Sequence, residues 1–446
     1  VNFSKGLCVL SGLAALAGCA DKEVILEGER FAVRAPLYAD AVDPAADLAP
    51  DPDAPVIDTT FAAPPVTSNA DWTHSASGPT HNAGNPAFTS APELAWSANI
   101  GSGNSRKHRI TSDPVIANGR IFTLDSQSRV SATSLAGGSL WSRDLTPASE
   151  RSSDASGGGV AIEDNRVFAT TGFGQVIALD ATSGAEIWRQ SLDAPATSSP
   201  TVYDGLVYVV SRNNVAWAID AKNGRVKWEL PGTPGQTGIV GGAGPAVTDR
   251  VAIFPFGSGE LVAALRQGGV RLWGSAISGK RQGAAYANIS DIASDPVVVG
   301  DVIYTANSSG RVVAISVNSG NRIWTAREGA YGPVSVADNS VFLLSDQSEL
   351  IRLDATTGER IWGRELPYFK REKAKRSRDI YAHYGPVLAG NTLWVASDDG
   401  TLKSFDPETG TPRSSVSIPG GAASSMSIAG GTMYVISERG QLHAFR

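Results

Sequence analysis

Through most of the chain, apolar residues come in short runs closed by Gly, Asn or Asp. SDPVIANGRIFTLDS (112–126), SSPTVYDGLVYVVSR (198–212), SDPVVVGDVIYTANS (294–308) and YGPVLAGNTLWVASD (384–398) share one layout. Each is a short apolar run, a turn, and a second run in which apolar positions alternate. Alternation of period two around a turn predicts a hairpin. A third short strand follows, as in QVIALD, RVVAIS and ELIRLD, then another turn, then a strand that carries tryptophan.

That second turn is nearly a copy each time. LDATSGAEIW (179–188), IDAKNGRVKW (219–228) and LDATTGERIW (353–362) are the clearest; looser forms end at Trp141, Trp273 and Trp324. A seventh, FDPETGTPRS, puts Ser414 where tryptophan is expected. A glycine stands four residues before each of these positions: Gly137, Gly184, Gly224, Gly269, Gly320, Gly358 and Gly410. Asx and Ser/Thr side chains cap such a turn, and glycine supplies the positive φ that closes it. The tryptophan is then expected to pack on the turn and the next sheet.

The copies recur at 38- to 52-residue intervals. Repetition at that period signals a closed array of small sheets. Four antiparallel strands per repeat predict a β-propeller, in which one blade buries its faces only against its neighbours. The last stretch, MSIAGGTMYVISERGQLHAFR, supplies three strands and no tryptophan strand, whereas ELAWSANIG around Trp96 is a tryptophan strand with no hairpin before it. Joined, they make an eighth blade and latch the ring. The expected fold is all-β, an eight-bladed propeller of four-stranded antiparallel blades closed by an N-terminal strand, within a domain spanning 72–446.

The N-terminus reads differently. VNFSKGLCVLSGLAALAGCA has one cation, Lys5, and an apolar run from Leu7 to Ala17. This is the layout of a signal peptide, here 1–18. Leu16-Ala17-Gly18-Cys19 resembles a bacterial lipobox, which implies lipidation of Cys19; Ala20 after it resembles the outer-membrane sorting pattern. Several acyl chains on Cys19 would give a stable anchor. Residues 19–71, rich in Asp, Pro and Ala, are expected to be a disordered or extended tether.

Composition narrows the chemistry. The net charge of −6 argues against a general nucleic-acid binder. Cys8 and Cys19 are the only cysteines, so the propeller has no thiol chemistry. The histidines (74, 81, 108, 383, 443) show no paired metal spacing, and neither GxSxG nor a P-loop occurs. His74 and His81, in DWTHSASGPTHNAGN (71–85), are expected to be satisfied by backbone as that segment crosses the propeller. No catalytic residue, metal or cofactor is expected.

With strands lettered A to D from the hub outward, repeat length varies mainly between strand D and the next strand A. The long connections are Gly101–Thr111, Thr146–Gly157, Pro231–Gly244, Ser278–Ser294 and Pro367–Tyr384. All open on one face, the expected functional surface. One of them, PYFKREKAKRSRDIYAHY, carries Lys370, Arg371, Lys373, Lys375, Arg376 and Arg378 between aromatic flanks. It suits an acidic protein surface or anionic lipid head groups.

The A-x-D-x-x-x-G-x-x-x-W repeat resembles the PQQ-type propeller repeat. Together with the lipobox, the acidic tether and eight blades, the chain resembles the BamB family of outer-membrane lipoproteins. That resemblance implies a lipid-anchored protein on the periplasmic face of the outer membrane. It would act as a monomer within the β-barrel assembly (BAM) complex, with other BAM subunits, binding the POTRA domains of BamA and assisting barrel insertion. It carries two D–A connections over as partner contacts. In TGIVGGAGP these are Ile239, Val240 and Gly241, with Val240 standing where an arginine is expected. In SDIASDP they are Asp291 and Ala293, Ala293 replacing an expected acidic residue. PQQ-dependent dehydrogenases share the repeat but carry an adjacent cysteine pair, which this chain lacks. A propeller binding an envelope polymer is the third alternative.

Overall fold

The computed structural model describes residues 59–446 except 197, 236–240, 278, 280–288, 290 and 372–378. The expected signal peptide, Cys19 and most of the tether lie outside the described residues. The remainder forms eight four-stranded antiparallel sheets. Blade 1 (Val115–Ala117, Arg120–Leu124, Arg129–Ser134, Ser139–Asp144) sets the pattern, and blades 2 to 7 start at Val160, Thr201, Ala246, Val297, Ser335 and His383. Blade 8 takes its inner strands from Ser427–Ala429, Thr432–Ile436 and Gln441–Phe445, and its outer strand from Leu94–Asn99. Leu94 pairs with Phe445 and Asn99 with Gln441, and the backbones of Glu93 and Arg446 exchange bonds of 2.8 and 3.0 Å. The ring is closed as the split repeat predicts.

Strands B and C are covered on both faces by neighbouring blades, so residues of both faces are buried where the sequence pattern predicts alternation. Phe122, Val130 and Ala132 of blade 1 join Val160, Val167 and Ile177 of blade 2 in one buried cluster, and similar clusters fill the other gaps. Strand D lies at the rim and is mostly exposed.

The repeated turn works between blades. Trp141 of blade 1 lies on Gly184 of blade 2, where an added Cβ would stand 2.6 Å from the indole. Trp188 meets Gly224, Trp228 meets Gly269, and Trp96 of the latch meets Gly137 in the same way. The glycine is required twice, by φ near +70° and by the ring on top of it. The indole N–H of Trp141 donates to the Ala181 carbonyl at 3.1 Å, and Trp188 does the same to Ala221 at 3.0 Å. Blade 7 carries Ser414 because its neighbour has no such turn: blade 8 is where the chain enters at Glu93 and ends at Arg446. Ser414 instead bonds the Ser404 hydroxyl at 2.6 Å within its own blade.

Residues 59–71, the end of the expected tether, are seated on the propeller. Phe61 stacks edge-on against Phe342 at 5.5 Å. Arg352, with none of its surface exposed, donates to the carbonyls of Thr59 (2.9 Å), Thr60 (2.6 Å) and Glu408 (3.1 Å). From there the chain forms a clasp across the hub, bonding to innermost strands and their turns. Asn69 meets Ile428 of blade 8, Trp72 pairs with Ile116 of blade 1, and the Thr73 carbonyl accepts from Ile162 of blade 2. His74 meets Val202 of blade 3; Pro79 and Thr80 accept from Val247 and Val298 of blades 4 and 5; Asn85 bonds Asn391 of blade 7. Innermost strands have an unpaired edge, and the clasp supplies the missing partners.

Candidate partner-binding face

Every strand D ends, and every strand A begins, on the same face of the disc. This follows from the antiparallel order, with four strands per blade reversing direction each time. The connections there are cross-braced. His108 Nε2 lies 2.9 Å from the Ser153 carbonyl, and the Arg109 amide donates to Ser156 Oγ at 2.9 Å, joining 101–111 to 146–157. Gly241, at φ +80°, comes close to Thr111, so the connection before blade 4 reaches over the hub toward blade 1.

The base of the basic connection is a short hairpin. Phe369 pairs with Ile380, and the Lys370 and Tyr381 amides donate to Asp379 and Tyr368. Phe369 and Ile380 are opposite one another and remain 40% and 48% exposed. Lys370 turns back to Asp398 at 2.6 Å and lies over the Tyr381 ring. Burial opposes its charge, but Asp398 outweighs burial and raises the Lys370 pKa. Arg371 is exposed; Lys373, Lys375, Arg376 and Arg378 lie outside the described residues. Around the rim, Arg106, Lys107, Arg109 and Arg439 are also exposed, with Arg109 3.9 Å from Glu438. In an acidic chain, this face carries a basic sector over blades 7, 8 and 1.

The other expected contacts divide. Ile239 and Val240 lie outside the described residues, while Gly241 is on the face. Asp291 and Ala293 are buried, with 6% and 5% exposed. Ile292 between them forms a bridge with Asn307 of blade 5, which draws this end of the connection into the hub wall.

Each of the five histidines is engaged by its neighbours. His383 lies 2.8 Å from the Pro367 carbonyl and 2.7 Å from Ser397 Oγ, and His443 2.9 Å from the Pro419 carbonyl. His74 has Thr73 Oγ1 at 2.8 Å on Nδ1 and Val202 on Nε2, while His81 Nδ1 lies 3.0 Å from the Pro296 carbonyl. Burial, with the neighbouring His81, pulls the His74 pKa down to about 3, so the ring is neutral near pH 7. Among the described residues, no group of three or more His, Cys, Asp or Glu is arranged to hold a metal.

The sequence reading passed over Asp113 and Asp295. Both stand in an SDPV run, in the first and fifth repeats, and those two blades are opposite in a ring of eight. Residue spacing around a circle was the signal that could have paired them.

Eight blades, joined at every junction but that of blades 7 and 8 by tryptophan on a neighbour's glycine turn, define a propeller of the PQQ-like repeat class. A family profile described as "Outer membrane protein assembly factor BamB" matches residues 129–364 and 372–446. The chain belongs to that family. Curated relatives agree: the BamB of Moranella endobia is 26% identical over 70% of this chain and 81% of its own length, and that of Yersinia pestis 26% over 70% and 80%. Among solved structures, BamB from Moraxella catarrhalis superposes with a TM-score of 0.66 at 18% identity, covering 80% of this chain and all of that one. A quinohemoprotein alcohol dehydrogenase from Comamonas testosteroni gives 0.65 at 15%, covering 87% and 82%. At such identities the structural likeness speaks for the fold alone.

Proposed function

We propose that this chain is a non-enzymatic scaffold of outer-membrane β-barrel assembly. It is held by lipid on Cys19 at the periplasmic face of the outer membrane, and its D–A face binds the POTRA domains of BamA. The family match over residues 129–364 and 372–446 carries this reading. The hub supports it: the chain's own residues 72–82 lie across it and bond to the innermost strands, which suits a binding platform better than a reaction centre. The rigid disc holds D–A connections in fixed relation, and rigidity lowers the cost of ordering a surface on binding.

Two parts of the face are assigned. The connection with Ile239, Val240 and Gly241 provides an apolar contact. The basic sector, with Phe369 and Ile380 beside Lys370 and Arg371, faces acidic surface on the partner. Charges of this kind act chiefly on association rate and partner choice.

Affinity purification from membranes tests the reading. Ile239→Asp with Val240→Asp is expected to cut co-purification of BamA at least tenfold while the melting temperature stays unchanged. Full recovery of BamA from this variant removes the connection from the interface. Separately, Cys19→Ser is expected to move the protein from the membrane to the soluble periplasmic fraction; continued sedimentation with membranes would show a different anchor.

A further inference from the structure

At the centre of the ring, one hydroxyl joins two carboxylates from opposite blades. Ser75 Oγ, at the inner tip of the clasp, lies 3.2 Å from Asp113 Oδ2 of blade 1 and 3.0 Å from Asp295 Oδ2 of blade 5. The outer oxygens are already used. Asp113 Oδ1 accepts from the Ser425 amide at 2.8 Å, and Asp295 Oδ1 from the Gly244 amide at 2.7 Å. A hydroxyl carries one hydrogen and can donate to only one of the two carboxylates. The second contact is a hydrogen bond only if the other carboxyl brings its own proton. Without it, a lone pair of Ser75 faces a charged oxygen, and two like charges share a half-buried site.

We propose that seating the clasp takes up one proton, held between Asp113, Ser75 and Asp295, so that the clasp is a pH-responsive latch across the hub. It closes tightly in acidic solution and has loosened by the time the pH reaches neutrality.

The surroundings agree. Burial first, and then the charge of Asp295, push the Asp113 pKa up to about 6. His74, coupled to His81, precedes Ser75 on the clasp, and Tyr384 from blade 7 feels the Asp113 charge. Blades 4 and 8 contribute the Gly244 and Ser425 amides. Among the described residues, no lysine or arginine forms an ion pair with either carboxylate. The sign follows from linkage. A carboxyl whose pKa is raised in the closed state favours that state below its pKa; the advantage fades between the open-state value near 4 and the closed-state value near 6 and is gone above it.

Hydrogen exchange followed by mass spectrometry on the intact chain tests this. After correction for intrinsic rates, opening of peptides covering 72–83 is expected to increase about tenfold between pH 5 and pH 7.5, while rim strands of blade 2 stay constant. Asp113→Asn, whose amide mimics the protonated carboxyl, is expected to keep the clasp closed at both pH values. Ser75→Ala should open it already at pH 5. If Asp113→Asn does not fold, Asp295→Asn tests the same point from the other side of the ring. A wild-type clasp whose exchange changes less than twofold, or an asparagine variant that follows the wild-type profile, overturns the proposal.

Discussion

Trp188→Ala is expected to destabilise the propeller by about 3 kcal/mol, the low end of the usual cost of emptying a large aromatic site. The indole fills the space over Gly224 and satisfies the Ala221 carbonyl, so truncation leaves a cavity and an acceptor without its donor. Urea unfolding followed by far-UV circular dichroism measures it, with the slope unchanged if only the native state is affected. The contrasting variant is Ser414→Trp. If tryptophans stabilised simply by adding apolar bulk, completing the repeat in blade 7 would raise stability. The structure leads to the opposite expectation, no gain or a loss. Blade 8 has no glycine turn to receive the ring, and Ser404 would lose its partner. A clear gain from Ser414→Trp would sink this account of the repeat.

The second large effect is expected at Arg352. Its guanidinium sits without exposure among the Thr59, Thr60 and Glu408 carbonyls and the Ser340 hydroxyl, under the Phe61 ring. Arg352→Ala removes several hydrogen bonds from a charged donor, at about 1.5–3 kcal/mol each and less than additive, so a loss on the order of 4 kcal/mol is expected. The loss should begin locally. Limited proteolysis should cut near Thr60–Phe61 in the variant under conditions where the wild type resists. Arg352→Lys should recover only part, since one ammonium cannot reproduce a planar fork of donors. Equal resistance of Arg352→Ala and wild type would mean that residues 59–62 are held by other contacts.

The ring was readable in the sequence because its joints are written in side chains. Glycine four before tryptophan is a steric requirement, met the same way wherever a blade abuts a turn. Even the exception at Ser414 marks where the turn is missing. The clasp was not readable because it is held largely through backbone groups. Residues 69–86 bond to strand edges with amides and carbonyls, which impose no periodicity on side chains. Arg352 was hidden for a related reason: within ELIRLD it looks like an ordinary outward residue of a strand, yet it points into a seam between blade 6 and the incoming chain. The candidate face was legible as a face, from the lengths of its connections. Its individual contacts were less so. Nothing in SDIASDP told that Asp291 and Ala293 are buried in the free chain, because the Ile292–Asn307 bridge that holds them is made through backbone.

The clasp also decides how the molecule would bear mechanical load. Tension applied through the N-terminal end meets the Arg352 grip first, and then a chain of attachments spread over the inner strands. Those attachments are loaded one after another along the chain, ahead of the Leu94–Asn99 strand, whose loss would open a single sheet. A tug on this end is therefore expected to act on the clasp before it reaches the seam of the ring.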